Sequence, residues 1–143
     1  MSTTLYFEDI APGSDIGPLI KKPTTRQLVM WAGVSGDYNP IHYDKDFALG
    51  RGLPGVIVPG QLVAAFLGQL MTDWIGQQGT LKKLSCSYKG MNLPGETIAC
   101  KGKVNKKHIE NGRGYVECAI WAEKQGGEKT VTGNAVVTVP LKS

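Results

Sequence analysis

The sequence predicts an α+β domain: one antiparallel sheet wrapped around a buried central helix over residues about 60–75. Two observations predict it. The window from Gly60 to Ile75 carries apolar residues nearly all round a helical wheel (Leu62, Val63, Ala65, Phe66, Leu67, Leu70, Met71, Trp74, Ile75), the pattern of an enclosed helix rather than a surface one. After Gly76 the period switches to two, and four successive segments alternate apolar and polar residues between turn signals, the mark of strands with one buried face.

Taken in order, Pro12-Gly13 and Gly17-Pro18 mark turns, and a short edge strand is expected near 18–22. Thr24 or Thr25 suits a helix N-cap, and Leu28, Val29, Trp31 and Ala32 form the apolar stripe of a helix running to Gly33. Asp37-Tyr38-Asn39-Pro40 reads as a loop, because a residue before proline is biased away from helix. A short helix fits 44–49. The central helix follows, about four turns long and stopped by Gly76.

Leu84, Cys86 and Tyr88 then make the inner face of a strand that ends before the Pro94-Gly95 turn. Ile98, Cys100, Gly102 and Val104 make the next inner face, and Asn111-Gly112 is a hairpin signal. Val116, Cys118 and Ile120 face in on the following strand. Gly126-Gly127 is a second hairpin signal, and 131–139 is the last strand. The strands are expected to meander and to pack on the helix, the geometry of a single hot-dog fold.

At 143 residues, with 41% hydrophobic and 20% charged residues, the chain 1–143 fits one globular domain and excludes a disordered or fibrous chain. The net charge of +4 comes from 16 Lys+Arg against 12 Asp+Glu; the lysines are scattered, which argues against nucleic acid and suits an anionic small molecule or an acidic partner. Cys86, Cys100 and Cys118 form no C-x-x-C pair, so buried free thiols in a reducing compartment are expected, with no metal site. The window 62–75 is too short to span a bilayer and the first residues carry no secretory signal, so a cytoplasmic protein is expected.

Two histidines, His42 and His108, limit any imidazole chemistry. The run Ser35-Gly36-Asp37-Tyr38-Asn39-Pro40-Ile41-His42 holds an acid and an imidazole five residues apart across an irregular loop, which can turn both toward one point as an acid/base pair. An ordinary Asx turn beside a capped histidine explains the same residues. Further on, Pro54-Gly-Val-Ile-Val-Pro59-Gly60 runs into the central helix and puts Gly60 at its N-terminus. Unpaired N–H groups and the positive dipole end suit a carbonyl oxygen that gains negative charge there. Relief of crowding is the alternative explanation of that glycine. His108 lies by a hairpin tip, and Asp73 and Trp74 by the helix end, as packing and surface residues. Lys82, Lys83, Lys89, Lys101 and Lys103 fit either a solvated strand face or contacts to anionic groups of a substrate carrier.

The run 33–42, with Phe47-Ala48 after it, resembles the signature of the MaoC-like dehydratases, which include the (R)-specific enoyl-CoA hydratases (hydratase 2). Residues 53–60 and 71–76 are similar to the catalytic subunit of heterodimeric (R)-3-hydroxyacyl-acyl-carrier-protein dehydratases, and with Phe7-Glu8-Asp9-Ile10 the likeness covers essentially the whole chain. The resemblance implies a hot-dog fold that dimerises by joining two sheets, either as a homodimer (or a higher oligomer of dimers) or beside a second hot-dog subunit. It implies reversible syn hydration of trans-2-enoyl thioesters of CoA or acyl carrier protein, without metal or redox cofactor. Carried over position by position, the catalytic pair falls on Asp37 and His42, a water- or loop-holding role on Asn39, and the oxyanion N–H on Gly60. Which member does which step is not decided by sequence; the favoured assignment is His42 as base toward water and Asp37 as proton donor to Cα. Pro59 stands where the family often has His, Gln61 where it often has Met, and Gly68 where some members have Ser; Pro59 and Gln61 are candidate pocket residues. Two alternatives remain. One is a non-catalytic hot-dog partner that binds acyl thioesters. The other is an acyl-CoA thioesterase, disfavoured because residues 60–71 contain no Asp or Glu.

Overall fold

A computed structural model describes residues 3–143. Strand β1 (Asp15–Lys21) leads to helix α1 (Thr25–Ser35), a 3-10 turn (Pro40–His42), helix α2 (Lys45–Gly50) and the long helix α3 (Gly60–Ile75). Strands β2 (Thr80–Tyr88), β3 (Ile98–Glu110), β4 (Arg113–Lys124) and β5 (Lys129–Val139) follow. All five strands form one antiparallel sheet in the order β1-β3-β4-β5-β2.

Local chemistry sets the element ends. The Thr24 hydroxyl accepts from Gln27 N–H at the start of α1, and Asp44 does the same for α2 from Phe47 N–H. Helix α1 runs past Gly33 to Ser35 and stops at Gly36, whose φ of 77° is left-handed. Only Leu28 and Ala32 of its expected stripe are buried; Trp31 is half-buried, and Val29 turns outward at 58% exposure. Helix α3 has the expected bounds, and Gly76 caps it. The β3–β4 hairpin turns at Asn111 and Gly112, both with positive φ, as a tight turn between right-twisted strands requires.

The core sits between α3 and the sheet. Leu62, Val63, Phe66, Leu67, Leu70, Met71 and Ile75 are buried against the alternate residues Ile98, Cys100 and Val104 of β3, Val116, Cys118 and Ile120 of β4, and Val131, Ala135 and Val137 of β5. Each fully buried aliphatic side chain contributes about 1.5–3 kcal/mol. The helix is not enclosed on every side: Gln61, Ala65, Gln69 and Thr72 form an exposed stripe, because one sheet covers only the opposite side of the cylinder.

The strands depart from a simple meander. β3, β4 and β5 follow one another, but β2 pairs with β5, at the far edge from β1. The connection 89–97 is too long for a tight hairpin and carries the chain from one side of the sheet to the other. On the way Asn92 O accepts Val58 N–H at 2.9 Å, which ties this crossing to the segment that leads into α3.

Candidate active site

The loop after α1 is built from successive side-chain-to-backbone bonds. Ser35 Oγ accepts from Asp37 N–H (3.1 Å), Asp37 Oδ1 from Asn39 N–H (3.2 Å), and Asn39 Oδ1 from Ile41 N–H (3.3 Å), with Pro40 starting the 3-10 turn. The backbone has no ladder here, so short polar side chains hold its course. Asp37 keeps its second oxygen, Oδ2, for His42, 3.7 Å from Nε2.

His42 is 7% exposed, and its orientation is determined from the other side of the ring. Nδ1 lies 2.8 Å from the carbonyl of Ile57. A carbonyl only accepts, so Nδ1 carries the proton; in the neutral ring Nε2 then holds the lone pair and faces the Asp37 carboxyl group. Ile57 N–H in turn donates to Ile41 O at 3.0 Å, which clasps the histidine turn to the segment that precedes α3.

That segment ends at the N-terminus of α3. Pro59 O accepts from Leu62 and Val63 N–H (3.0 and 3.3 Å), while the N–H groups of Gly60 and Gln61 have no backbone acceptor among the described residues. The Tyr88 ring lies directly over Gly60: a Cβ at position 60 would stand 2.8 Å from two ring carbons, so the close approach requires glycine.

A cleft of about 320 Å³ joins these pieces. Four of the expected site residues line it: Asp37, His42, Gly60 and Gln61. Asn39 and Pro59 lie outside the lining. Asn39 holds the loop through its cap, and Pro59 caps α3 with its carbonyl. Tyr88, Met91, Asn92 and Val131 also line the cleft, and sequence reasoning missed them as site residues. Tyr88 alternates with polar residues and so reads as an inner strand position, yet it is 54% exposed at the cleft. Asn92 sits in a connection whose path depends on the sheet order, so no local signal marks it.

The other polar candidates lie elsewhere. His108 stacks on Tyr115 and lies 3.4 Å from Glu110, near the β3–β4 turn. Asp73 is exposed and lines a separate groove with Pro18 and Trp74. Lys101 pairs with Glu123 (3.2 Å) and Lys103 with Asp15 (3.6 Å), whereas Lys82, Lys83 and Lys89 make no ion pair among the described residues. Burial pushes the thiols of Cys100 and Cys118 up to about 11 and about 12, so both are unreactive core residues. No three His, Cys, Asp or Glu side chains among the described residues converge as a metal-binding cluster, and no helix among them is long and apolar enough to cross a membrane.

One antiparallel sheet of five strands wrapped on a single long helix places the molecule among hot-dog domains. More narrowly, the chain belongs to the MaoC like domain family, whose model matches residues 11–124. It is 31% identical over 137 residues to the fatty acid synthase beta subunit TOXC of Cochliobolus carbonum, covering 92% of this chain and 6% of that protein. It therefore spans only a small part of the synthase subunits it matches. It is also 28% identical to the (R)-specific enoyl-CoA hydratase of Aeromonas caviae, covering 85% of this chain and 90% of that one. The solved (R)-hydratase from A. caviae superposes with a TM-score of 0.85 at 25% identity, over 93% of this chain and 99% of that one.

Proposed function

We propose that this chain is a hydro-lyase that adds water reversibly and with syn geometry to trans-2-enoyl thioesters, giving (R)-3-hydroxyacyl thioesters. The observation that carries the reading is the orientation of His42: Nδ1 bound to Ile57 O, Nε2 toward Asp37, at the cleft that also holds Gly60. The relatives named as hydratases support it.

In this reading His42 Nε2 takes a proton from water as the water oxygen bonds to Cβ. Asp37, carrying the pair's shared proton, delivers it to Cα, and the imidazolium then returns a proton to Asp37. One water is added and the pair ends as it began. The negative charge that develops on the thioester oxygen is met by Gly60 N–H at the positive end of α3. Asn39 holds the loop that carries both members of the pair. Pro59 sets the helix start, and Gln61 contacts the substrate from the first turn.

The substrate is an acyl thioester of CoA or of acyl carrier protein, and Lys82, Lys83 and Lys89, which make no ion pair among the described residues, are candidate contacts for its phosphates. We assign the chain to a dimer, of two copies or with a second hot-dog subunit. Both β1 and β2 are open sheet edges, and Val29, Met30 and Val34 lie exposed on the helix that leads to Asp37. Chromatography with light scattering reads the assembly directly.

Hydration of crotonyl-CoA, followed as loss of enoyl absorbance with chiral analysis of the product, tests the activity. His42→Ala is expected to lower the rate by roughly 10²–10⁴-fold, the range for loss of a general base. Equal rates for wild type and variant refute the role of the pair. Release of free thiol assigns a thioesterase instead. Binding without turnover, alone and with any partner subunit, assigns a non-catalytic acyl-binding role.

A further inference from the structure

Asn92 lines the cleft, and the proposed mechanism leaves its amide unused. It is 2% exposed and lines the cleft with Asp37, His42 and Gly60, yet its Nδ2 has no hydrogen-bond partner. Its backbone is held firmly: Asn92 O accepts from Val58 N–H (2.9 Å), and the next residue, Leu93, donates its N–H to Glu96 Oε1 (2.5 Å). A buried amide N–H without an acceptor is costly to keep, and none of the polar side chains that share the cleft (Asp37, His42, Gln61, Tyr88) bonds to it. A ligand in the cleft can bring the acceptor that the protein does not.

An enoyl thioester is mostly carbon in its acyl part. Its oxygens at the reacting end are the thioester carbonyl and, after hydration, the 3-hydroxyl. His42 and Gly60 share the cleft with Asn92, so the reacting end is what this cleft receives. We propose that Asn92 Nδ2 donates a hydrogen bond to an oxygen of the bound acyl thioester, which makes Asn92 a binding residue of this site. The inference rests on the acyl-thioester reading above.

A binding role and a structural role predict opposite changes. Asn92→Leu removes an unpaired buried polar group at similar volume, so the free protein should melt at the same or a higher Tm. Its Kd for butyryl-CoA by calorimetry, and its KM for crotonyl-CoA, should rise roughly tenfold, the loss expected for one hydrogen bond in a desolvated site. Asn92→Asp keeps the shape but loses the donor, and should bind as weakly as Asn92→Leu at neutral pH. Both variants within about twofold of wild type in Kd and KM overturn the inference, as does a lower Tm for Asn92→Leu together with wild-type binding by Asn92→Asp. Wild type that neither binds butyryl-CoA nor hydrates crotonyl-CoA overturns the acyl-thioester reading, and this inference with it. An active wild type with unaffected variants overturns this inference alone.

Discussion

Gly60→Ala separates the helix-start donor proposed above from the proposed acid/base pair. The added Cβ would lie 2.8 Å from Cδ1 and Cε1 of Tyr88 and 3.4 Å from Cγ. Carbon atoms in good contact stand about 3.5 Å apart or more, so two contacts are short by about 0.7 Å. Tyr88 is 54% exposed, so its ring can tilt outward instead of forcing the core open. Alanine also favours helix over glycine by up to about 1 kcal/mol, less at a first position. Fold stability should therefore stay within about 1 kcal/mol of wild type, and Tm within a few degrees. The cleft bears the cost: a tilted Tyr88 ring reshapes the cleft it lines, and a shifted first turn of α3 carries the Gly60 N–H from its place. Loss of one oxyanion donor lowers kcat about 10²–10³-fold, or about 2.7–4 kcal/mol. Crotonyl-CoA hydration by Gly60→Ala, Tyr88→Ala and the double variant reads the effect. If ring overlap is the cause, the two sites couple by about 0.5–3 kcal/mol, and the alanine at 60 costs less once the ring is gone. Full activity of Gly60→Ala, or an equal cost in both backgrounds, refutes the reasoning.

Two further outcomes follow from titrating groups. A thiol reagent at mildly alkaline pH should label the half-buried Cys86 first and reach Cys100 and Cys118 only on unfolding, since burial holds those two at about 11 and about 12; mass spectrometry of the labelled peptides reads the order. The Trp121 indole N–H, and after it Lys101, hold the Glu123 carboxyl below its ordinary value. A folded-state value below the unfolded one adds stability above the ordinary glutamate range, and that stability fades as pH falls through the folded value. Urea midpoints should show Glu123→Gln less stable than wild type at neutral pH, with the gap closing in acid; a pH-independent gap counts against the ion pair as its cause.

Helix α3 was legible to the residue, because a continuous apolar window bounded by Gly60 and Gly76 has no competing pattern. Strands β2 to β5 and both hairpins were legible because period-two alternation and Asn111-Gly112 or Gly126-Gly127 are local signals, whereas the first strand, expected near 18–22 after a turn at Gly17-Pro18, runs Asp15–Lys21 through that pair with a bulge. The exposure of Val29 and Ala65 was not, since hydropathy shows that a residue is apolar and not whether a second layer covers it. The placement of β2 beside β5 was also hidden, because strand order is decided by which pairing closes the core and not by any turn residue.

Sequence alone determined which residue types are close along the chain: Asp37, Asn39 and His42 in one polar loop, and Gly60 at a helix start. Short polar side chains and prolines act within a few residues, so their effect is written locally. Tertiary structure decided what those residues face. The bond from His42 Nδ1 to Ile57 O spans fifteen positions and selects the ring nitrogen turned toward Asp37. The pairing of β2 with β5 lays Tyr88 over Gly60, and the crossing from β2 to β3 buries Asn92 in the same cleft. Contacts between distant segments follow from how the sheet closes around one helix, and no window of sequence contains that closure.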